Sequence, residues 1–321
     1  MNILVVGVGA FGFAILKHIG DNQAHTIYAY EKDEFSINFF KKFRKHPYFF
    51  NDIKLDEKVI FVSETKTILG AIDLVILAIP CQAIPQYITE MKDFLKPGVH
   101  ILNLSKGINN KSFKTVGEEV ADILGEFDYK YAVLSGGMLA SELVYGAPLG
   151  GDIGINEIET GDILKELFHI KALEISLKIG EVKNIELYGA LKNIFSLIMG
   201  YYEGKGYEGS AISYFFCKYF DEFARLVEFC GGNNFTHFDT ITHFNTFSLG
   251  GDLLTSCYGN SRNRYFGKLL GMGKRVQEIQ EIMKQEKKTA EGFETYKGIY
   301  PLIKDKEGFD ITKQIGAILF E

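Results

Sequence analysis

Apolar positions fall first into short unbroken runs and later into long stripes of helical spacing. Residues 2–6 (NILVV) make the first run, which enters Gly7, Val8, Gly9, Ala10, Phe11 and Gly12 and passes into a helical pattern through Ile19. A second run covers Thr26 to Tyr30, so the chain opens as strand, turn, helix, strand. VIFVS from Val59, DLVILAIP from Asp73, HILNLSKG from His100 and YAVLSGG from Tyr131 predict further buried strands, each separated by a segment of helical character. That alternation predicts an α/β fold whose N-terminal part is a mostly parallel, doubly wound sheet of Rossmann type.

Beyond about residue 183 the strand-like runs stop, and helices are expected over 184–200, 211–230 and 275–287. The expected division is a dinucleotide-binding domain over 1–183 and an all-helical substrate and catalytic domain over 184–321. Gly231 and Gly232 close the second of these helices in the C-cap role, and its aromatic stripe of Phe215, Phe216, Tyr219 and Phe223 reads as a core face.

Composition narrows the function classes. A chain of 321 residues suits two domains, and 35 Lys plus Arg against 41 Asp plus Glu give a net charge of −6. That balance offers no global attraction for nucleic acid or an anionic membrane, so a phosphate site must be local. No apolar run reaches the ~18 residues of a membrane helix. The start has no basic segment leading into a cleavable apolar stretch, and a cytoplasmic location without membrane insertion is expected. Cys81, Cys217, Cys230 and Cys257 lack any CxxC pairing and read as free thiols in a reducing compartment.

The glycine turn carries the first chemistry. Gly7 permits a tight turn, Gly9 lets a pyrophosphate approach the backbone, and Gly12 lets the helix lie close to the strand. The N–H groups at the helix start, from Ala10 and Phe11 onward, then face that pyrophosphate. Glu31 ends the second strand 19 positions after Gly12, where a carboxylate accepts hydrogen bonds from ribose hydroxyls and repels a 2′-phosphate. NAD is therefore the expected cofactor; Lys32 and Lys41 keep NADP open, since a lysine near the ribose partly compensates a 2′-phosphate.

Two later blocks are more specific than the glycine fingerprint. GALKN at 189–193, followed by IFSLIMGYYEGKGYEGSA, and LGGDLLTSCYGNSRNRYFG from Leu249 resemble the NAD(P)-dependent glycerol-3-phosphate dehydrogenase family. HPYFF from His46, LVILAIPCQAI from Leu74, LSKGI from Leu104, LSG from Leu134 and AEGFETYKGI from Ala290 extend the resemblance over almost the whole chain. It implies a Rossmann-type domain with a helical domain, a small phosphorylated substrate, a role in glycerophospholipid metabolism and a homodimer.

The residue chemistry points the same way. Reducing a ketone requires a proton donor at the carbonyl oxygen, and a lysine in a dry cleft has its pKa lowered into a useful range. Lys192, among Gly189, Ala190, Leu191 and Ile194, sits in a poor surface stretch; by resemblance it is the general acid and base. Lys106 follows a predicted strand and projects at the carboxyl end of the sheet, where its charge would polarise the carbonyl; the resemblance places it at both substrate and cofactor. By resemblance Asp252 contacts a substrate hydroxyl or orients Lys192. Ser261, Arg262 and Asn263 supply a hydroxyl, a guanidinium and an amide suited to a dianionic phosphate. The resemblance also brings Arg262 and Glu291 to the cofactor, while Arg264 and Lys268 read as structural or surface charges.

One segment departs from the family. Where Gly-Pro-Ser/Thr-Phe-Ala is usual, this chain has Gly136, Gly137, Met138, Leu139 and Ala140. Gly136, for the substrate, and Ala140, for the cofactor, retain backbone contacts, but a substrate-side hydroxyl is replaced by bulk. A related phosphorylated hydroxy or keto compound is thus an alternative substrate, and a noncatalytic NADH-binding sensor is an alternative of another class. His237, Asp239 and His243 read as loop or capping residues, because a spacing of six does not place both histidines on one helical face; no metal site is expected.

Overall fold

A computed structural model describes residues 1–20, 24–170, 172–232, 243–286 and 288–321. They form two compact units: Met1–Lys106 with Lys114–Ile185, and Gly107–Phe113 with Glu186–Glu321.

The first unit is built on an eight-stranded sheet: β1 Asn2–Val6, β2 Thr26–Tyr30, β3 Ile60–Val62, β4 Leu74–Leu77, β5 Val99–Asn103, β6 Tyr129–Ser135, β7 Leu149–Ile155 and β8 Leu173–Ile179. The spatial order is β3-β2-β1-β4-β5-β6-β7-β8, and the strands are parallel except where β7 runs antiparallel to β6. β1 is central: Val5 lies opposite Ala29 on one side and Ile76 on the other. Both faces are covered. Phe13, Ile15, Leu16 and Phe40 pack with Ile3 and Val5, while Ile84, Ile88, Val116 and Val120 pack with Leu4 and Val6. Such double coverage explains why these strands read as unbroken apolar runs.

Two features differ from the sequence expectation. Between β3 and β4 there is only the short 3-10 turn Leu69–Ala71, not a helix. β7 and β8 were not expected as strands. In β7 (LGGDIGI) glycine interrupts the apolar run, yet these glycines allow close packing: a Cβ on Gly151 would lie 2.8 Å from the Leu134 side chain, and one on Gly154 3.0 Å from Cα of Val182.

The second unit is helical. Helix Val182–Gly204, whose first four residues belong to the first unit, is followed by Gly209–Phe229, Asp252–Tyr258, Arg262–Gly271, Val276–Gln285, Glu291–Ile303 and Asp310–Phe320. Phe195, Tyr219, Phe223, Phe266 and Tyr296 are buried at its centre, and Phe215 and Phe216 pack against that core as the aromatic stripe predicts. Helix Gly209–Phe229 ends in a Schellman motif: Gly231 adopts φ 82°, its N–H donates to Glu228 O, and the Gly232 N–H donates to Val227 O. Helices Val182–Gly204 and Arg262–Gly271 touch backbone to backbone. A Cβ on Gly200 would fall 2.0 Å from Arg264 O, and one on Gly267 1.9 Å from Leu197 O.

Candidate active site

In the first unit, the turn after β1 is shaped by glycine at each expected position. Gly7 has φ 94° and donates its N–H to Tyr30 O at 2.8 Å; a Cβ there would lie 2.7 Å from Ala78 O. A Cβ on Gly12 would fall 2.1 Å from Gly7 O, so glycine lets the first helix, Ala10–Gly20, press against the turn. Gly9 is exposed, and a Cβ there would meet nothing within 4 Å, which leaves its backbone open to a ligand. Ala10 is the first helical residue; Phe11 packs partly against the core behind it. This open cradle at a helix amino end fits a dinucleotide pyrophosphate.

Glu31 follows β2 and faces the turn: Oε2 accepts the Val8 N–H at 2.9 Å and Oε1 the Asp33 N–H at 3.1 Å. Lys32 and Lys41 are exposed. His46 was missed as a site-supporting residue, although HPYFF had been noted. Its Nδ1 accepts the Tyr48 and Phe49 N–H groups at 3.1 and 3.2 Å, so the proton sits on Nε2, which lies 3.1 Å from Val8 O and donates to it. The ring is buried edge-on against Phe13 and Phe40, and burial is the main cause that lowers its pKa from the usual histidine value. Thus Glu31 and His46 hold the N–H and the carbonyl of one turn residue.

At the carboxyl ends of β4, β5 and β6, hydrogen bonds join three loops. Ser105 Oγ donates to Ile79 O, Asn103 Oδ1 accepts the Ser105 N–H at 2.8 Å, and Lys106 Nζ donates to Gly136 O at 3.0 Å. Lys106 and Gly136, both candidates from sequence, therefore meet. Gly136 has no room for a side chain, since a Cβ would lie 2.5 Å from Gly150 O. Met138, in the divergent segment, places Sδ and Cε 3.3 Å from the Cβ position of Gly151 and packs against the sheet core. Ala140 opens the short helix Ala140–Val144; Ser135 is buried in β6 and Ser141 is exposed.

In the second unit, helix Val182–Gly204 presents Lys192 to one face of helix Asp252–Tyr258. Lys192 Nζ lies 2.8 Å from Asp252 Oδ1 and 2.6 Å from Ser256 Oγ. The side chains of Lys192 and Asp252 are only 13% and 3% exposed, unlike a solvated helix lysine. Asp252 and Ser256 stand four apart, so both project from one helical face. The π-helical turn Phe247–Gly251 leads into that helix, with Gly250 lying where a Cβ would meet Phe244 O at 2.1 Å. Ser256 escaped the sequence reading; its spacing from Asp252 was the available signal. Cys257, beside it, is buried, and burial pushes its thiol up to about 12.

One turn along, Ser196 Oγ donates to Ser256 O at 2.7 Å and lies 2.9 Å from Ser261 Oγ. Ser261 caps helix Arg262–Gly271 by accepting the Arg264 N–H. Asn263 is buried: Nδ2 donates to Asn193 Oδ1 and Oδ1 accepts the Gly292 N–H, both at 2.9 Å, so its amide joins three helices. Arg262 is exposed and donates to Thr289 Oγ1 at 3.3 Å; Glu291, also exposed, starts helix Glu291–Ile303. Arg264 and Lys268 pair with Glu203 at 2.8 and 2.7 Å, in keeping with structural charges. His243 Nδ1 lies 3.1 Å from the Tyr188 hydroxyl, whereas His237 and Asp239 lie outside the described residues. The four cysteines are free thiols, and among the described residues no helix is long and apolar enough to cross a membrane.

The family model for the N-terminus of NAD-dependent glycerol-3-phosphate dehydrogenase matches residues 2–159, and that for its C-terminus matches residues 181–321. The chain belongs to this family. Glycerol-3-phosphate dehydrogenase [NAD(P)+] of Nitratidesulfovibrio vulgaris is 28% identical over 324 residues, covering 100% of this chain and 94% of the relative. The Staphylococcus haemolyticus enzyme of the same name is also 28% identical, covering 99% and 93%. Among solved structures, glycerol-3-phosphate dehydrogenase from Coxiella burnetii superposes with a TM-score of 0.85 at 23% identity, covering 99% of this chain and 94% of that one. The Saccharomyces cerevisiae enzyme gives 0.83 at 20% identity, covering 98% and 95%. The fold is therefore a Rossmann-type domain with a helical domain, and the cofactor class is NAD(P).

Proposed function

We propose that this protein reversibly interconverts dihydroxyacetone phosphate and sn-glycerol 3-phosphate, with NAD preferred over NADP. The observation that carries the proposal is Lys192 Nζ held between Asp252 Oδ1 and Ser256 Oγ in a largely buried setting. A bound nicotinamide supplies hydride chemistry at the carbonyl carbon. In the reducing direction Lys192 gives a proton to the carbonyl oxygen; in the oxidising direction it takes the proton from the hydroxyl. Asp252 and Ser256 fix the ammonium in position, and Lys106 adds positive charge toward the carbonyl.

Gly7, Gly9, Gly12 and Ala10 would hold the dinucleotide at the turn, and Glu31 would take the ribose hydroxyls and disfavour a 2′-phosphate. Arg262 and Ser261 hold the substrate phosphate, whose binding orients the reacting carbon. Asn263, with both ends of its amide engaged by protein, places that grip relative to Lys192. The cytoplasm is the proposed location.

The test is a spectrophotometric assay of NADH oxidation with dihydroxyacetone phosphate, repeated with NADPH and with unphosphorylated dihydroxyacetone. Turnover is expected with the phosphorylated ketone and NADH, with less activity on changing either. Negligible turnover of dihydroxyacetone phosphate, with NADH still bound, overturns the substrate assignment.

A further inference from the structure

The second unit contains a cavity in which the proposed hydride transfer draws on one rim, Ser261 and Arg262, and leaves the rest of the lining unused. It encloses ≈ 430 Å³, within the range of small-molecule pockets, and lies beside the amino end of helix Arg262–Gly271. Four cationic side chains line it, Arg262, Arg264, Lys268 and Lys288, against one carboxylate, Glu203. Tyr265 forms an aromatic wall, with Lys288 Nζ 4.7 Å from its ring centroid. Glu203 answers Arg264 and Lys268, and Glu286 lies 2.5 Å from Lys288. Even with both carboxylates counted, cations are in excess, and the helix amino end adds partial positive charge.

The far wall of this cavity, around Glu203, lies away from the lysine site. Lys192, Asp252 and Ser256 are not among its lining residues. Glu203 lies eleven residues beyond Lys192 on the same helix, about 16 Å along its axis. Arg264 and Lys268, four apart, share one face of helix Arg262–Gly271 and both pair with Glu203, in the last turn of the helix that carries Lys192. Arg262 and Ser261 alone belong both to this wall and to the proposed substrate grip.

We propose that the cavity is a second anion site that binds a small phosphorylated metabolite. Arg264, Lys268 and Lys288 supply charge-assisted hydrogen bonds to the phosphate oxygens, and Tyr265 covers the carbon portion. The occupant also draws on Arg262 at the shared rim, so its binding weakens the hold on the reacting substrate: apparent KM rises while kcat stays constant. This kinetic part rests on the substrate reading above; the binding part does not.

Inorganic pyrophosphate is the probe, titrated calorimetrically into the full chain at constant ionic strength, with chloride as control. The double variant Lys268→Ala/Lys288→Ala is expected to weaken binding at least about 10-fold, the size expected for losing charge-assisted contacts. Its KM and kcat without pyrophosphate should remain near wild type, and the pyrophosphate-induced rise in KM should vanish. Equal affinity in wild type and variant overturns the proposal. A basal KM raised in proportion to the lost affinity also overturns it, by making the cavity part of the substrate grip. Lys288→Glu, which keeps the Lys268–Glu203 pair, decides in the same way if the double variant fails to fold. Should dihydroxyacetone phosphate not be turned over at all, the calorimetric comparison still tests the binding site.

Discussion

At the residue scale, the central arrangement is an ammonium given a fixed address by a carboxylate and a hydroxyl four residues apart. Replacing Lys192 with Ala is expected to lower kcat by about 10²- to 10⁴-fold, the range for loss of a general acid or base, while leaving NADH affinity unchanged. Steady-state assays with fluorescence titration of NADH check both halves, and unimpaired turnover removes Lys192 from the chemistry. Lys192 and Asp252 were legible because their surrounding motifs are distinctive. Ser256 was not, since a serine in LTSCY differs little from an ordinary helix residue until its partner's position is known.

His46 supports a second prediction at this scale. Its Nδ1 already accepts two N–H donors, so a proton there would disrupt the bonds that shape the loop beside Val8. Burial lowers the folded pKa below that of an unfolded histidine, near ~6.5, and the folded state then binds fewer protons. The stability His46 contributes is fully present above that value and is lost as pH falls toward the lowered pKa. Thermal melts from about pH 8 to 5 should show a shallower fall for His46→Gln than for wild type. Identical slopes would assign the pH dependence elsewhere.

At the element scale, glycine governs how closely elements approach. Gly267 faces Leu197 O with no space for a methyl group, so Gly267→Ala is expected to destabilise the protein by about 1–3 kcal/mol through overpacking. Gly70, where an added Cβ meets nothing within 4 Å, is the control, and Gly70→Ala should be nearly neutral. Denaturant unfolding of both variants checks the contrast. The same property concealed β7. Its glycines erase the apolar pattern by which strands are recognised. Strands β1, β4 and β5 were legible because burial on both faces writes itself as continuous apolar sequence. The helix stop at Gly231 and Gly232 was legible because the left-handed turn there demands glycine.

At the scale of the whole molecule, the candidate groups divide between the units: the glycine turn, Glu31 and Lys106 in the first, Lys192, Asp252, Ser256 and the Ser261–Arg262 pair in the second. Cofactor choice and substrate grip should therefore be separable by mutation. Glu31→Ala is expected to raise the kcat/KM ratio of NADPH to NADH with little change in KM for dihydroxyacetone phosphate. Arg262→Ala is expected chiefly to raise that KM, by roughly 10-fold or more for loss of a charge-assisted contact. An unchanged cofactor ratio would release Glu31 from the ribose, and an unchanged KM would release Arg262 from the phosphate.

Local sequence alone determined what backbone conformation and apolar patterning dictate: the opening glycine turn, the first six strands, the helical second part and the stretch around Lys192. Family motifs then marked the residues able to move a proton or hold a phosphate. Tertiary structure decided which side chains meet. Ser256 joined Lys192, His46 took hold of Val8, Asn263 turned inward to bind three helices together, and Met138 settled against Gly151. Each depends on residues from 13 to 70 positions distant. Hydrogen bonding and steric exclusion act on distance in space, and separation along the chain does not encode that distance until the elements have packed.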